Sequence, residues 1–128
     1  SYPGDKDFLE NVKQEAIDNV KRLRHHASIA LWCGNNENSE GWRRWGWQAD
    51  RSEEEKEEIW GNYLKVFDSI LPNTVAQFTD TDYWETSPKY GRGNPKYKTE
   101  GYAHDWWIWH DGYPFEHLEK NVPRFLSF

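Results

Sequence analysis

Methionine is absent from this chain, cysteine occurs once, and no apolar run comes near the roughly 18–20 residues that a membrane-crossing helix needs. The single thiol, Cys33, excludes an internal disulfide, so cysteine usage says nothing about redox compartment. A tract of clustered Lys and Arg is missing too. With a formal net charge of −6, and with "RRWGW" too short to matter, no nucleic-acid partner is expected, because backbone phosphates are held by massed cations. Nothing at the N-terminus resembles a secretory leader, and a periplasmic, secreted or lysosomal parent all stay open. With no initiator methionine and an opening at "SYPGD", we expect a piece of something longer. Aliphatic side chains are scarce as well. Hydrophobic residues make 36% of the 128, and aromatic residues alone make 17%, so nearly half the apolar set carries a ring. Large amphipathic rings line sites and interfaces better than they fill a small core. One domain's length is present, but its apolar surface is expected to be shared.

What is there reads as alternating helix and strand. The segment "DKDFLENVKQEAIDNVKRLRHH" places Leu9, Val12, Ala16, Val20 and Leu23 at helical spacing, with acids at its start and bases at its end to suit the helix dipole. His25 and His26 close it as polar punctuation. "ASIALWC" then fits a strand buried on both faces, as in a parallel sheet flanked by helices. A second helix is expected over "RSEEEKEEIWGNYLKVFDSILP", where Ser52 and Glu55 have capping-box spacing and Pro72 acts as a stop. Further strand cores are expected near Tyr83–Trp84, Trp106–Trp109 and Arg124–Leu126, and "KYGRGNPKYKTEGY" should be a surface loop. No internal repeat or linker divides the chain. The pattern is α/β.

In a parallel α/β fold, chemistry collects just beyond the carboxyl ends of strands. "GNNE" occupies that place after "SIALWC", although Asn-Asn also reads as a simple turn with Glu37 opening the next segment. "YWETSP", "DWWIWHDG" and "FLS" are further apolar or aromatic stretches joined to polar residues. One mouth would then gather Trp32, Trp42, Trp45, Trp47, Trp84, Trp107 and Trp109 beside a carboxylate. Aromatic faces stack on the C–H faces of pyranose rings, and a carboxylic acid among them can protonate a glycosidic oxygen in a dry pocket.

Taken in order, "HHASIALWCGNNENSEGW", "YWETSP", "HDWWIWHDG" and "VPRFLS" resemble the catalytic domain of glycoside hydrolase family 2, and within it the β-mannosidases. The resemblance covers essentially the whole chain. It implies that residues 1–128 are about half of one (β/α)8 TIM barrel, acting on terminal β-D-mannosides with retention. It implies a carbohydrate substrate, no cofactor and no metal. Glu37 matches the general acid/base and Asn36 the residue holding the sugar 2-hydroxyl; Trp45, Trp84, Trp107, Trp109 and His110 match substrate-contacting positions. Ser39 and Glu40 receive no role, and Glu40 is expected to be a loop charge. The family follows "RFLS" with its nucleophilic Glu, where this chain has Phe128, so these 128 residues are expected to be inactive alone and to depend on the remainder of the barrel.

Other readings stand beside this one. A neighbouring family 2 activity, on galactose, glucuronate or amino sugars, is one. A non-catalytic carbohydrate-binding module is another, and it requires an antiparallel, strand-rich chain. A metal-dependent enzyme using His104, Asp105, His110 and Asp111 is the weakest, because their spacing matches no strong ligand pattern and equally fits strand-end hydrogen bonding.

Overall fold

The computed structural model describes residues 1–91 and 94–127. Arg92 and Gly93 of the expected surface loop, and Phe128 at the position the resemblance gives to the nucleophile, lie outside the described residues.

Helix α1, Lys6–Leu23, begins where Asp5 accepts a hydrogen bond from the Phe8 amide at 2.9 Å, and Lys21 and Arg22 occupy its last turn. The acceptor satisfies an otherwise orphaned N–H, and the charges oppose the helix dipole at both ends. Its apolar face lies against the second helical run, with Val20 buried. That second run starts at the capping box of Ser52 and Glu55 and comprises α3 (Glu53–Leu64), a π-helical stretch (Lys65–Ile70) and α4 (Leu71–Phe78). The expected stop at Pro72 is therefore corrected. Proline lacks an N–H and its ring clashes with the carbonyl four residues back in a regular helix. Here the preceding turn is widened, the Leu71 amide reaching back five residues to the Val66 carbonyl, and Pro72 sits in the first turn of α4. The core centres on this run: Tyr63, Val66 and Phe67 are buried, with Tyr2, Phe8, Leu9, Val12, Trp60 and Leu71 packed around them.

Strands β1 (Trp32–Cys33) and β2 (Tyr83–Trp84) pair in parallel, Trp32 with Tyr83 and Cys33 with Trp84. Parallel neighbours need a long crossover, and α2 (Asn38–Arg44) with the second helical run supplies it. "ASIALWC" is thus a much shorter strand than expected, and it is not buried on both faces: Ala30 and Cys33 are exposed. Burial on both faces takes a cover on each, and α4 together with the π-helical Phe67, which approaches Gly34, covers one side. A further parallel bridge joins Ala103 to Leu126, through the Ala103 amide to the Phe125 carbonyl at 2.8 Å and the Ser127 amide to the Ala103 carbonyl at 3.1 Å. The strand expected at Trp106–Trp109 is a turn instead, because Asp105 accepts from the Trp107 amide and the His110 amide closes back on the Trp106 carbonyl. A 3-10 turn, Pro95–Lys98, and a short helix α5, Glu116–Lys120, complete the chain.

The architecture is mixed helix with few strands, and its only strand pair among the described residues is parallel, against the antiparallel layout of a binding module. Among the described residues, no helix is long and apolar enough to cross a membrane, and no three His, Cys, Asp or Glu side chains converge as a metal would require.

Candidate active site

The polar segment after β1 stays in register with the segment after β2. Ser87 donates its amide to the Asn35 carbonyl at 2.8 Å, Glu37 donates its amide to the Ser87 carbonyl at 2.9 Å, and Asn36 bridges Ser87 in parallel. Glu37 then heads α2, its carbonyl accepting from the Gly41 amide at 2.8 Å, with φ 58° and ψ 9°. A left-handed backbone is uncommon for a residue with a side chain and persists only where the surroundings hold it. Hydrogen bonds on both sides hold it here. The turn delivers the Glu37 carboxylate past the strand end and into a cavity of about 470 Å³.

Trp45, Tyr90, Tyr97 and Trp106 give that cavity aromatic walls, while His104, His110 and Asp111 supply polar groups. His104 is the nearest partner of the carboxylate: its Nδ1 lies 2.9 Å from Glu37 Oε1, with 2% of the His104 side chain and 20% of the Glu37 side chain exposed. Glu40 also lines the cavity and is not the loop charge expected. It sits on α2 with its carboxylate 3.4 Å from Arg44 Nε, and so close to Gly91 that a Cβ there would fall 2.1 Å from its Cδ. One face carrying a strand-end carboxylate, a buried histidine and four aromatic rings can bind a sugar ring and exchange a proton with it.

No protein-family model matches the chain. Beta-mannosidase B of Thermothelomyces thermophilus is 31% identical over 136 aligned positions, which take in 99% of this chain and 15% of that protein. Beta-mannosidase B of Aspergillus clavatus is 31% identical over 118, taking in 86% of this chain and 14% of that protein. Among solved structures, a β-D-mannosidase from Dictyoglomus thermophilum matches with a TM-score of 0.74 and 37% identity, over 98% of this chain and 14% of that one. The chain is homologous to one stretch of the β-mannosidases. It spans only 14–15% of the length of these relatives.

The residues expected to form the site of this β-mannosidase homologue divide into two groups. Glu37, Trp45 and His110 meet in the cavity, whereas Asn36, Trp84, Trp107 and Trp109 are not among its lining residues. Trp84 stacks on Tyr102 with centroids 5.1 Å apart, and Trp107 packs edge-on to Tyr113 and beside His117. Trp109 is 82% exposed. His104 and the rings of Tyr90, Tyr97 and Trp106 are cavity residues that the sequence did not single out as substrate-facing. For His104 the sequence offered only the reading it shared with Asp105, His110 and Asp111, as a metal ligand or a strand-end hydrogen-bonding group.

Behind the cavity the polar groups form a network. Asn35 ties Tyr63, Glu85, Thr86 and Asn38 together, and Tyr63 donates to the Glu85 carboxylate. Burial, followed by the bond to Glu85, raises the Tyr63 phenol above its ordinary value. Tyr83 and Tyr102 are raised in the same sense, burial again the leading cause.

Proposed function

We propose that this chain belongs to the catalytic (β/α)8 barrel of a family 2 glycoside hydrolase that releases terminal β-D-mannosyl units with retention, and that Glu37 is its general acid/base. The observation that carries this is the position of Glu37: past the end of a parallel strand, braced in a left-handed turn, bonded to a buried histidine, and open to a cavity with aromatic walls. In the first step the Glu37 carboxyl gives its proton to the glycosidic oxygen while a carboxylate nucleophile attacks the anomeric carbon. In the second, the Glu37 carboxylate takes a proton from the water that displaces the enzyme from the sugar.

Retention requires the two carboxyls to be about 5–5.5 Å apart. Glu40 is engaged by Arg44, and we assign the nucleophile to another part of the complete protein. Trp45 serves as a stacking face and His110 as a hydroxyl partner within the cavity. Asn36, adjacent to Glu37 in sequence, is assigned the sugar 2-hydroxyl. Trp84 acts through Tyr102 and Trp107 through His117, and Trp109 is kept for substrate beyond the cavity. The exposed Phe115, Val122 and Phe125 are apolar surface that the remainder of the barrel would cover.

Substitution in the complete protein tests the central role. Glu37→Gln keeps the shape and removes the proton, so kcat/KM on aryl β-mannosides with poor leaving groups should fall by about 10²–10⁴-fold. Dinitrophenyl mannoside, whose leaving group needs little protonation, should fall far less. Equal losses on both would remove Glu37 from the acid role. The 128 residues alone should turn over neither substrate, since one carboxyl cannot perform both steps; turnover that disappears on Glu37→Ala would overturn that expectation.

A further inference from the structure

The His104 ring joins Glu37 to a line of hydroxyls. On its far side His104 Nε2 lies 3.1 Å from Ser87 Oγ, Tyr102 donates its hydroxyl to Ser87 Oγ at 2.5 Å, and Cys33 Sγ lies 3.1 Å from the Tyr102 oxygen. Proton counting sets the direction of this line. A serine hydroxyl has one proton to give. Because Ser87 Oγ accepts from Tyr102, its own proton is available to His104 Nε2, and the polarity that uses it makes Nε2 the bare nitrogen of a neutral ring. The ring proton therefore sits on Nδ1, 2.9 Å from Glu37 Oε1. The other neutral tautomer, with Ser87 Oγ accepting a second bond from Nε2–H, would leave a bare Nδ1 facing the Glu37 carboxylate once its proton has gone to the departing oxygen. Burial, with the contact to Cys33 next, raises the Tyr102 phenol, which keeps it a donor throughout the range in which carboxyl groups titrate. Trp84, stacked on Tyr102, holds that ring in place.

We propose that Tyr102 and Ser87 lock His104 as its Nδ1–H tautomer, and that the bond from Nδ1 to Oε1 reserves Oε2 of Glu37 for the catalytic proton. This rests on Glu37 being the acid/base. His104 is on this account a positioning residue, which does not exchange protons with substrate. When Oε2 gives its proton to the departing oxygen, the negative charge left on the carboxylate turns the Nδ1–H···Oε1 contact into a charge-assisted bond, with no proton moving along the line. In the second step Oε2 receives one proton of the attacking water, the remaining hydroxyl bonds to the anomeric carbon, and the bond from that carbon to the nucleophile breaks.

The test is kinetic, on the complete protein, comparing phenyl with 2,4-dinitrophenyl β-mannoside. Ser87→Ala and Tyr102→Phe release the tautomer, and His104→Phe removes the donor. Each should lower kcat/KM on the phenyl substrate by about tenfold or more while leaving the dinitrophenyl substrate within about twofold. His104→Asn, whose amide can place an N–H near the position of Nδ1, should recover most of the phenyl activity that His104→Phe loses. A purely structural role would depress both substrates together, and that result, no loss at all, or His104→Asn as poor as His104→Phe would overturn the proposal. Glu37→Gln is measured alongside. If it discriminates between leaving groups and the Ser87, Tyr102 and His104 variants do not, the positioning role fails and the acid stands; if Glu37→Gln does not discriminate, the acid assignment itself fails.

Discussion

Replacing Asn35 with alanine should loosen the junction that presents Glu37. The Asn35 amide uses all four of its hydrogen-bonding positions: Nδ2 donates to the Tyr63 hydroxyl at 3.1 Å and the Glu85 carbonyl at 2.7 Å, and Oδ1 accepts from the Asn38 amide at 3.1 Å and the Thr86 hydroxyl at 2.8 Å. These partners belong to three different places, namely α3, the segment after β2 with its buried Thr86, and the first turn of α2. Each neutral bond contributes about 1 kcal/mol net, so truncation removes about 4 kcal/mol, reduced toward about 3 where water reaches the half-buried site. At about 1.4 kcal/mol per decade, local opening becomes a hundred- to a thousandfold more frequent. The readout is amide hydrogen exchange in the complete protein at Glu37 and Ser87, whose N–H groups bond across this junction. Acceleration by less than about tenfold would mean that backbone pairing alone holds the loop, and the network reasoning would be wrong.

Two further expectations follow from the same region. At Gly34 an added Cβ would lie 2.4 Å from the Tyr83 hydroxyl, 2.6 Å from the Glu85 carbonyl oxygen and 2.8 Å from the Phe67 ring, so Gly34→Ala should force β1 away from β2. Overpacking of this kind costs about 1–3 kcal/mol, and an unchanged melting temperature would contradict it. Alkaline pH should also destabilise the fold, because the phenols of Tyr63, Tyr83 and Tyr102 are held above their ordinary value in the folded chain. Below the unfolded tyrosine value of about 10 both states keep the proton. Above it the unfolded state releases protons first, and stability falls by up to about 1.4 kcal/mol per pH unit for each phenol. Tyr63→Phe should reduce that slope by one proton in denaturant titrations between pH 9 and 11, and an identical slope would remove Tyr63 from the account.

Local elements of this chain were legible because their causes are local. The α1 face, the Asp5 cap and the Ser52/Glu55 box depend on residues three or four apart, a distance over which helical geometry alone brings groups together. Tyr83–Trp84 was legible as a strand, and "GNNE" as the polar segment that follows one. Pro72 misled because a widened turn, visible only in the backbone, removes its clash with the preceding carbonyl. The tryptophans misled because composition says that rings will be buried or stacked but not on what. Trp45 reached the cavity, Trp84 reached Tyr102, and Trp109 faces outward. The partner of Glu37 lies 67 residues away in the chain. That meeting, and the line through Ser87 and Tyr102 behind it, depends on how separate strand ends are brought together by packing, for which no sequence period exists. By itself the sequence placed a carboxyl, Glu37, just beyond a strand. The tertiary structure decided which nitrogen faces that carboxyl, since only closure of the long loops between β1, β2 and Ala103 brings the two within 3 Å.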